Sequence, residues 1–165
     1  MRLFLLALLS ICLASCAPRP DAFGLESGSF RASFDHYAIN VDDVDASVAF
    51  YQRVFDLPEV YDGTGKENIR WLALGNGMSL HIIESDRSQL RLQKGIHLAI
   101  SLGDFASFVA RLRTLDVPFE SWQGAAMETN GRPDGVQQVY LQDPDGYWIE
   151  VNDGRSIFGK PPVKP

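Results

Sequence analysis

The sequence predicts an α+β fold: two βαβββ modules that form a cupped, partly open mixed β-sheet with helices outside. Three observations predict it. A short motif occurs twice, as His36-Tyr37-Ala38-Ile39-Asn40-Val41-Asp42-Asp43 and as His97-Leu98-Ala99-Ile100-Ser101-Leu102-Gly103-Asp104, sharing His, Ala, Ile and the last Asp. Each copy alternates large apolar residues with small or polar ones, which is the period of a half-buried strand. Each is then followed by an acidic turn, a helical pattern and two further strand patterns around a tight turn.

In the first module, residues 34–41 place Tyr37, Ile39 and Val41 on one face and His36, Ala38 and Asn40 on the other. Asp42, Asp43 and Asp45 suit the exposed amides of a helix start. Val48, Phe50, Tyr51, Val54 and Phe55 carry the helix, and Asp56-Leu57-Pro58 ends it because proline forbids continuation. After a short strand near Val60, residues 69–74 and 78–83 pair around Gly75-Asn76-Gly77.

The second module repeats the plan. Residues 96–102 oppose Leu98, Ile100 and Leu102 to His97, Ala99 and Ser101, and a helix follows with Phe105, Phe108, Val109 and Leu112, ending at Asp116-Val117-Pro118. A short strand near Phe119 precedes strands at 136–141 and 147–151 around Asp143-Pro144-Asp145-Gly146, a signature that reports a hairpin turn. The spacing between modules holds through strand and helix, then lengthens by an inserted loop at roughly 124–135. Such a loop forms the lid or wall of a binding site.

At 165 residues the chain holds one ordinary domain or two small modules sharing a core. A net charge of −6 makes nucleic acid an unsuitable partner. The first fifteen residues, with Arg2 before an apolar run, read as an export signal, and Leu13-Ala14-Ser15-Cys16 resembles a bacterial lipobox. The expected organisation is a signal at 1–15, lipidated Cys16 opening a tether at 16–32, a domain at 33–152 built of modules 33–86 and 94–152, and a tail at 153–165. The membrane is then met only through lipid on Cys16. That places the protein in the cell envelope, on the outer-membrane or periplasmic side in a double-membraned bacterium.

All three histidines fall at matching repeat positions, and the fourth position holds Glu150: His81 lies four residues after Gly77, Glu150 four after Gly146. Three imidazoles and one carboxylate suit a divalent ion: zinc, nickel, cobalt, manganese or ferrous iron. The competing reading is that each histidine is a packed or hydrogen-bonded strand residue, or that a closed four-coordinate zinc is structural. Trp148 and Asn152 share the face of Glu150, Ser101 that of His97, and Ser79 and Ile83 that of His81, so these line a substrate pocket or simply pack the sheet. Arg132, in the inserted loop, attracts an anionic substrate or stays solvated.

With these motifs, and above all Tyr140-Leu141-Gln142-Asp143-Pro144-Asp145-Gly146-Tyr147-Trp148-Ile149-Glu150-Val151, the chain resembles the vicinal oxygen chelate superfamily of glyoxalases, fosfomycin-resistance proteins, extradiol dioxygenases and bleomycin-binding proteins. The resemblance implies that His36, His81, His97 and Glu150 ligate the metal and that Glu150 doubles as the catalytic proton acceptor. Asn40 stands where some bacterial glyoxalases carry an arginine that holds glutathione, and it joins Ser101, Trp148, Asn152 and Arg132 as a substrate-binding candidate. The activity implied is that of a metal-dependent lyase or isomerase acting on a small molecule with adjacent oxygens. Extradiol ring cleavage and non-catalytic binding of a drug or metabolite are the alternatives. A homodimer is the expected assembly.

Overall fold

The computed structural model describes residues 33–154. The expected signal, Cys16, the tether and the tail beyond Gly154 lie outside the described residues. Among the described residues no helix is long and apolar enough to cross a membrane.

The elements run β1 (His36–Val41), α1 (Val44–Phe55), β2 (Glu59–Val60), β3 (Ile69–Gly75), β4 (Met78–Glu84), β5 (His97–Ser101), α2 (Phe105–Thr114), β6 (Phe119–Glu120), β7 (Asn130–Gly131), β8 (Gln137–Gln142) and β9 (Trp148–Asn152). This is βαβββ twice, with β7 an extra two-residue strand inside the inserted loop. The first module forms a sheet in the order β1-β4-β3-β2; the second forms β5-β9-β8-β6, with β7 on β8. Each module pairs its first and last long strands in parallel, β1 with β4 and β5 with β9, and the remaining pairs are antiparallel. The mixed sheet expected to run through both modules is therefore two sheets within one chain. β1 and β5 each keep one open edge among the described residues.

Alternation directs the faces as the sequence predicts. Ile39 and Val41 are fully buried while His36 and Ala38 are exposed. Both helices cover the apolar faces and share one core, in which Phe55 of α1 stacks on Phe108 of α2 with centroids 5.2 Å apart. The helices thus lie on the side opposite the histidines. Their starts are capped by aspartates: Asp43 accepts from the Ala46 amide at 2.9 Å and Asp104 from the Ser107 amide at 3.1 Å. Their ends turn through the left-handed region at Asp56 (φ 54°) and Asp116 (φ 52°), a position more often given to glycine or asparagine.

The Asp143–Gly146 turn does more than reverse the chain. It clasps the second module onto the first. The Asp145 carboxylate accepts from the Asp42 amide and the Ser47 hydroxyl, each at 2.8 Å, and pairs with Arg87 of the inter-module segment. Arg87 also holds Asp42 at 2.8 Å and donates to the Asp145 carbonyl. Buried Asp143 accepts from the Tyr51 hydroxyl at 2.9 Å and from the Tyr147 amide at 2.8 Å, while the Tyr147 hydroxyl accepts from the Asn40 amide at 3.0 Å.

Burial, and then the Asp143 charge, push the Tyr51 phenol well above its usual 10.0; burial likewise raises Asp143, against the pull of its donors. Tyr51 therefore contributes stability that is whole below pH 10 and is lost as pH rises through its folded value. Removing the hydroxyl leaves a buried carboxylate short of a donor, at a cost of about 1–3 kcal/mol. Tyr51→Phe is expected to lower the unfolding free energy at neutral pH by that amount and to flatten the alkaline loss of stability, both read from urea unfolding curves between pH 6 and 11.

Candidate metal centre

The strand register sets two half-sites. On the first sheet Ala38 lies opposite His81 and His36 opposite Ser79, so the two imidazoles are neighbours on adjacent strands. His81 is sandwiched: its ring stacks on His36 at 4.2 Å with planes 5° apart, and on Trp71 at 4.0 Å with planes 2° apart. His81 Nε2 also bonds the Ser79 hydroxyl at 2.9 Å, and His36 Nδ1 lies 2.6 Å from Asp35. Burial, followed by the neighbouring His36, lowers the His81 pKa below 6.5. An imidazole directs its lone pair within its own ring plane, and two nearly parallel stacked planes share no point at which one ion could meet both. As stacked, this pair is not a chelate; one ring must turn first.

On the second sheet Ala99 lies opposite Glu150 and Tyr140 is Glu150's other cross-strand neighbour. Glu150 is 4% exposed; the inserted loop pairs on the outer edge of β8 through β7, returns to β6 through a bridge between Glu120 and Ala126, and brings Arg132 onto the carboxylate. Its charge is met on both oxygens. Oε1 accepts from Asn152 at 2.7 Å and Arg132 at 3.3 Å; Oε2 accepts from the Tyr140 hydroxyl at 2.5 Å and lies 3.2 Å from His97 Nε2. Burial, then the bond to Glu150, raises the Tyr140 phenol, so it stays a donor through the physiological range.

His97 is oriented as a ligand would be. Its Nδ1 lies 2.8 Å from the Lys94 carbonyl, which can only accept, so Nδ1 carries the proton. In the neutral ring Nε2 is then a bare lone pair, 3.2 Å from a carboxylate oxygen. A cation placed between those two atoms, a second ring proton or a metal ion, would be attracted to both. Imidazole held through its other nitrogen by a carbonyl is the usual support for a metal ligand. This half-site fits a divalent ion.

His97, Trp122, Arg132, Gln138, Tyr140 and Glu150 border a cleft of about 530 Å³. Of the residues expected to bind substrate, only Arg132 is on that border, and its guanidinium is shared between Glu150 and Asp134. Asn152, 3% exposed, serves Glu150 and accepts from the Ser101 hydroxyl at 2.7 Å. Gly154 closes against this pair at φ +60°, where an added Cβ would stand 3.0 Å from the Ser101 Cβ. Trp148 packs over the Lys94 ammonium at 5.1 Å, and Asn40 sits on β1, off the cleft.

Within one chain the four expected ligands form two pairs and do not meet. No group of three or more His, Cys, Asp or Glu side chains poised for a metal occurs among the described residues. Sequence reasoning missed Tyr140 and Lys94. Tyr140 was legible from strand pairing, since it faces Glu150 across β8 and β9; Lys94 left no signal beyond its place three residues before His97.

Residues 33–151 match the family described as the Glyoxalase/Bleomycin resistance protein/Dioxygenase superfamily. The chain belongs to that superfamily. It is 27% identical over 124 residues to a metallothiol transferase, FosB, of Shouchella clausii strain KSM-K16, covering 73% of this chain and 79% of that one. It is 25% identical over 150 residues to a lactoylglutathione lyase of Pseudomonas putida, covering 72% and 83%. Among solved structures the oxidase ChaP-H2 superposes with a TM-score of 0.62 at 22% identity, over 74% of this chain and 94% of that one, which shows the shared fold. Superfamily members of this kind include glyoxalases, fosfomycin-resistance proteins and dioxygenase-like proteins.

Because the folded pKa of His81 is depressed, the fold favours its neutral ring, and that stability is present above pH 6.5 and lost as pH falls through the folded value. A protonated imidazole quenches a stacked indole. Tryptophan emission is therefore expected to fall on acidification below pH 6.5, and His81→Gln is expected to abolish the step contributed by Trp71.

Proposed function

We propose that the protein is a divalent-metal-dependent lyase or isomerase of glyoxalase type, acting on a small molecule that chelates the ion through adjacent oxygens. One observation carries this reading: His97 Nε2 and Glu150 Oε2 face each other 3.2 Å apart at the border of a cleft, with His97 Nδ1 committed to the Lys94 carbonyl. The kinship to a metallothiol transferase and to a lactoylglutathione lyase supports it. His97 and Glu150 would hold the ion. When bound, it supplies Lewis-acid chemistry, polarising substrate oxygens and acidifying an adjacent C–H bond.

The residues of this chain divide the remaining work. Asn152 and Arg132 hold Glu150 Oε1, while Oε2, which accepts one bond from Tyr140 and faces His97, is the oxygen that would receive a substrate proton. Trp122 and the inserted loop border the cleft, and Arg132 stands at its wall paired with Glu150 and Asp134, where an anionic substrate could compete for its guanidinium.

The first half-site joins the second through another copy of the chain. Open edges on β1 and β5 invite strand pairing, and β5 flanks an apolar groove of about 520 Å³ with Phe34, Tyr37, Leu74 and Met78. Phe34 and Ile96, 58% and 59% exposed just before those strands, add apolar surface that a second copy would cover. His36, turned from its stack, then completes the site opened by His97 and Glu150.

Nickel or zinc titrated into metal-stripped protein is expected to bind at about one ion per chain, and His97→Gln or Glu150→Gln should each lose turnover of 2-oxoaldehyde thiol adducts by at least about a hundredfold. Mixing inactive His36→Gln with inactive Glu150→Gln should restore part of the activity, since a hybrid dimer contains one intact site. Mixing that restores nothing would overturn the shared site; wild-type protein that binds no divalent ion would overturn the metal reading.

We also propose lipidation at Cys16 and residence in the cell envelope, on the strength of the lipobox-like Leu13-Ala14-Ser15-Cys16. Radiolabelled palmitate is expected to enter the full chain expressed in a bacterium and to be absent from Cys16→Ser.

A further inference from the structure

Lys94 belongs to neither half-site, yet its side chain is held more closely than any other lysine described. The ammonium donates to Glu120 Oε1 at 2.6 Å, to the Ser121 carbonyl at 2.5 Å and to the Trp122 carbonyl at 3.1 Å. Three aromatic rings enclose it as well: Tyr140 at 4.9 Å, Trp148 at 5.1 Å and Trp122 at 5.8 Å from their centroids. A lysine ordinarily keeps its head in water and loses rotamer freedom when fixed. Here three charge-assisted bonds and the ring faces offset that cost.

The other end of the same residue touches the candidate ligand. The Lys94 carbonyl is the group that receives His97 Nδ1–H at 2.8 Å. The carbonyl stands at the start of a tight turn closed by the Ile96 amide bonding Gln93 O at 2.9 Å, with Gly95 between. Nothing covalent fixes that turn. The Lys94 side chain ties it to the β6 end and to the residues that lead into the inserted loop.

We propose that Lys94 is a positioning residue for His97: its caged ammonium pins the inter-module turn, and the pinned carbonyl holds the imidazole as the Nδ1–H tautomer with Nε2 directed at Glu150. This deepens the metal-centre reading and rests on it for its catalytic meaning. It also joins the loop that walls the cleft to the ligand inside it, since the Ser121 and Trp122 carbonyls and the His97 ring are held through one residue. The Trp122 amide is itself held by Asn130 Oδ1 at 2.7 Å, so the link continues into the loop that carries Arg132.

The test uses ring-nitrogen NMR on metal-free protein, with the three histidines assigned by His→Gln variants, followed by nickel titration. Wild type, at a pH alkaline enough for the ring to be neutral, is expected to show His97 as one tautomer, protonated on Nδ1. Lys94→Met should give a mixture of tautomers and weaken nickel binding about 10–100-fold, the range for losing a group that supports a metal ligand. Lys94→Arg, which keeps a cation in the cage, should restore a single tautomer at least in part. Glu120→Gln loosens the anchor with the lysine in place and should move both readings in the same direction, so it decides the matter if Lys94→Met does not fold. Unchanged tautomer and affinity in Lys94→Met, or in Glu120→Gln where that is the folded variant, would overturn the proposal. Should wild type bind no nickel or zinc, the metal reading falls while the tautomer measurement still decides the role of Lys94.

Discussion

A carboxylate taken almost wholly out of water is the constraint on which the second module is built. Glu150 sits in mid-strand, 4% exposed, and an ionised carboxylate placed there without partners would cost several kcal/mol. The surrounding residues answer that cost one oxygen at a time. Tyr140 comes from the neighbouring strand, Asn152 from the same strand two residues on, and Arg132 from the inserted loop. Asn152 is in turn fixed by Ser101 and the Gly154 amide. Ser101 and Asn152, which strand alternation places beside a substrate, are thereby committed to orienting the acid. A site so fully supported costs little to reorganise when a cation arrives, which is the condition for tight and selective binding.

The same burial that stabilises the chain separates its ligands. Both apolar sheet faces press on one core through α1 and α2, and the Asp143–Gly146 turn is fastened to the start of α1 by Asp145, Arg87 and Tyr51. The histidine-bearing faces are on the sides of their sheets away from that core. Among the described residues β1 and β5 lie at the ends of two separate strand paths. The free edges of β1 and β5, two half-sets of ligands and one shared core occur together in this packing.

The parts of this arrangement that repeat were legible in the sequence, and the parts that break the repeat were not. Period-two alternation at His36 and His97 gave the strands and the faces, and Asp43 and Asp104 gave the helix starts, because those signals are local. The inserted loop was visible as extra length, but its return to β8, which brings Arg132 onto Glu150, depends on pairing between residues 131 and 137 that no periodicity announces. Arg87 and Lys94 were invisible for a similar reason. Each is a lone cation in an irregular segment, and its meaning lies in partners such as Asp145 and Glu120, distant along the chain. Convergence of all four ligands was the expectation that sequence could support least. Matching positions in a repeat fix which face a side chain takes, and say nothing about where the second sheet is placed.

The stack of His36 on His81 decides whether the first half-site is an obstacle to metal binding or a resting state for it. An aromatic stack contributes about 0.5–1.5 kcal/mol. His81 has two such neighbours, with Trp71 behind it and Ser79 on its Nε2, so its ring is the fixed one. His36 has only the one stack and an exposed contact to Asp35, an ion pair of the kind that contributes at most about 1 kcal/mol. Turning His36 out of the stack therefore costs on the order of 1–2 kcal/mol by these figures. Structural zinc sites gain about 10–16 kcal/mol on binding, and a millimolar site about 4 kcal/mol, so either exceeds the cost of that rotation. Of the two rings His36 is therefore the less firmly held, and His81 lies face to face with Trp71.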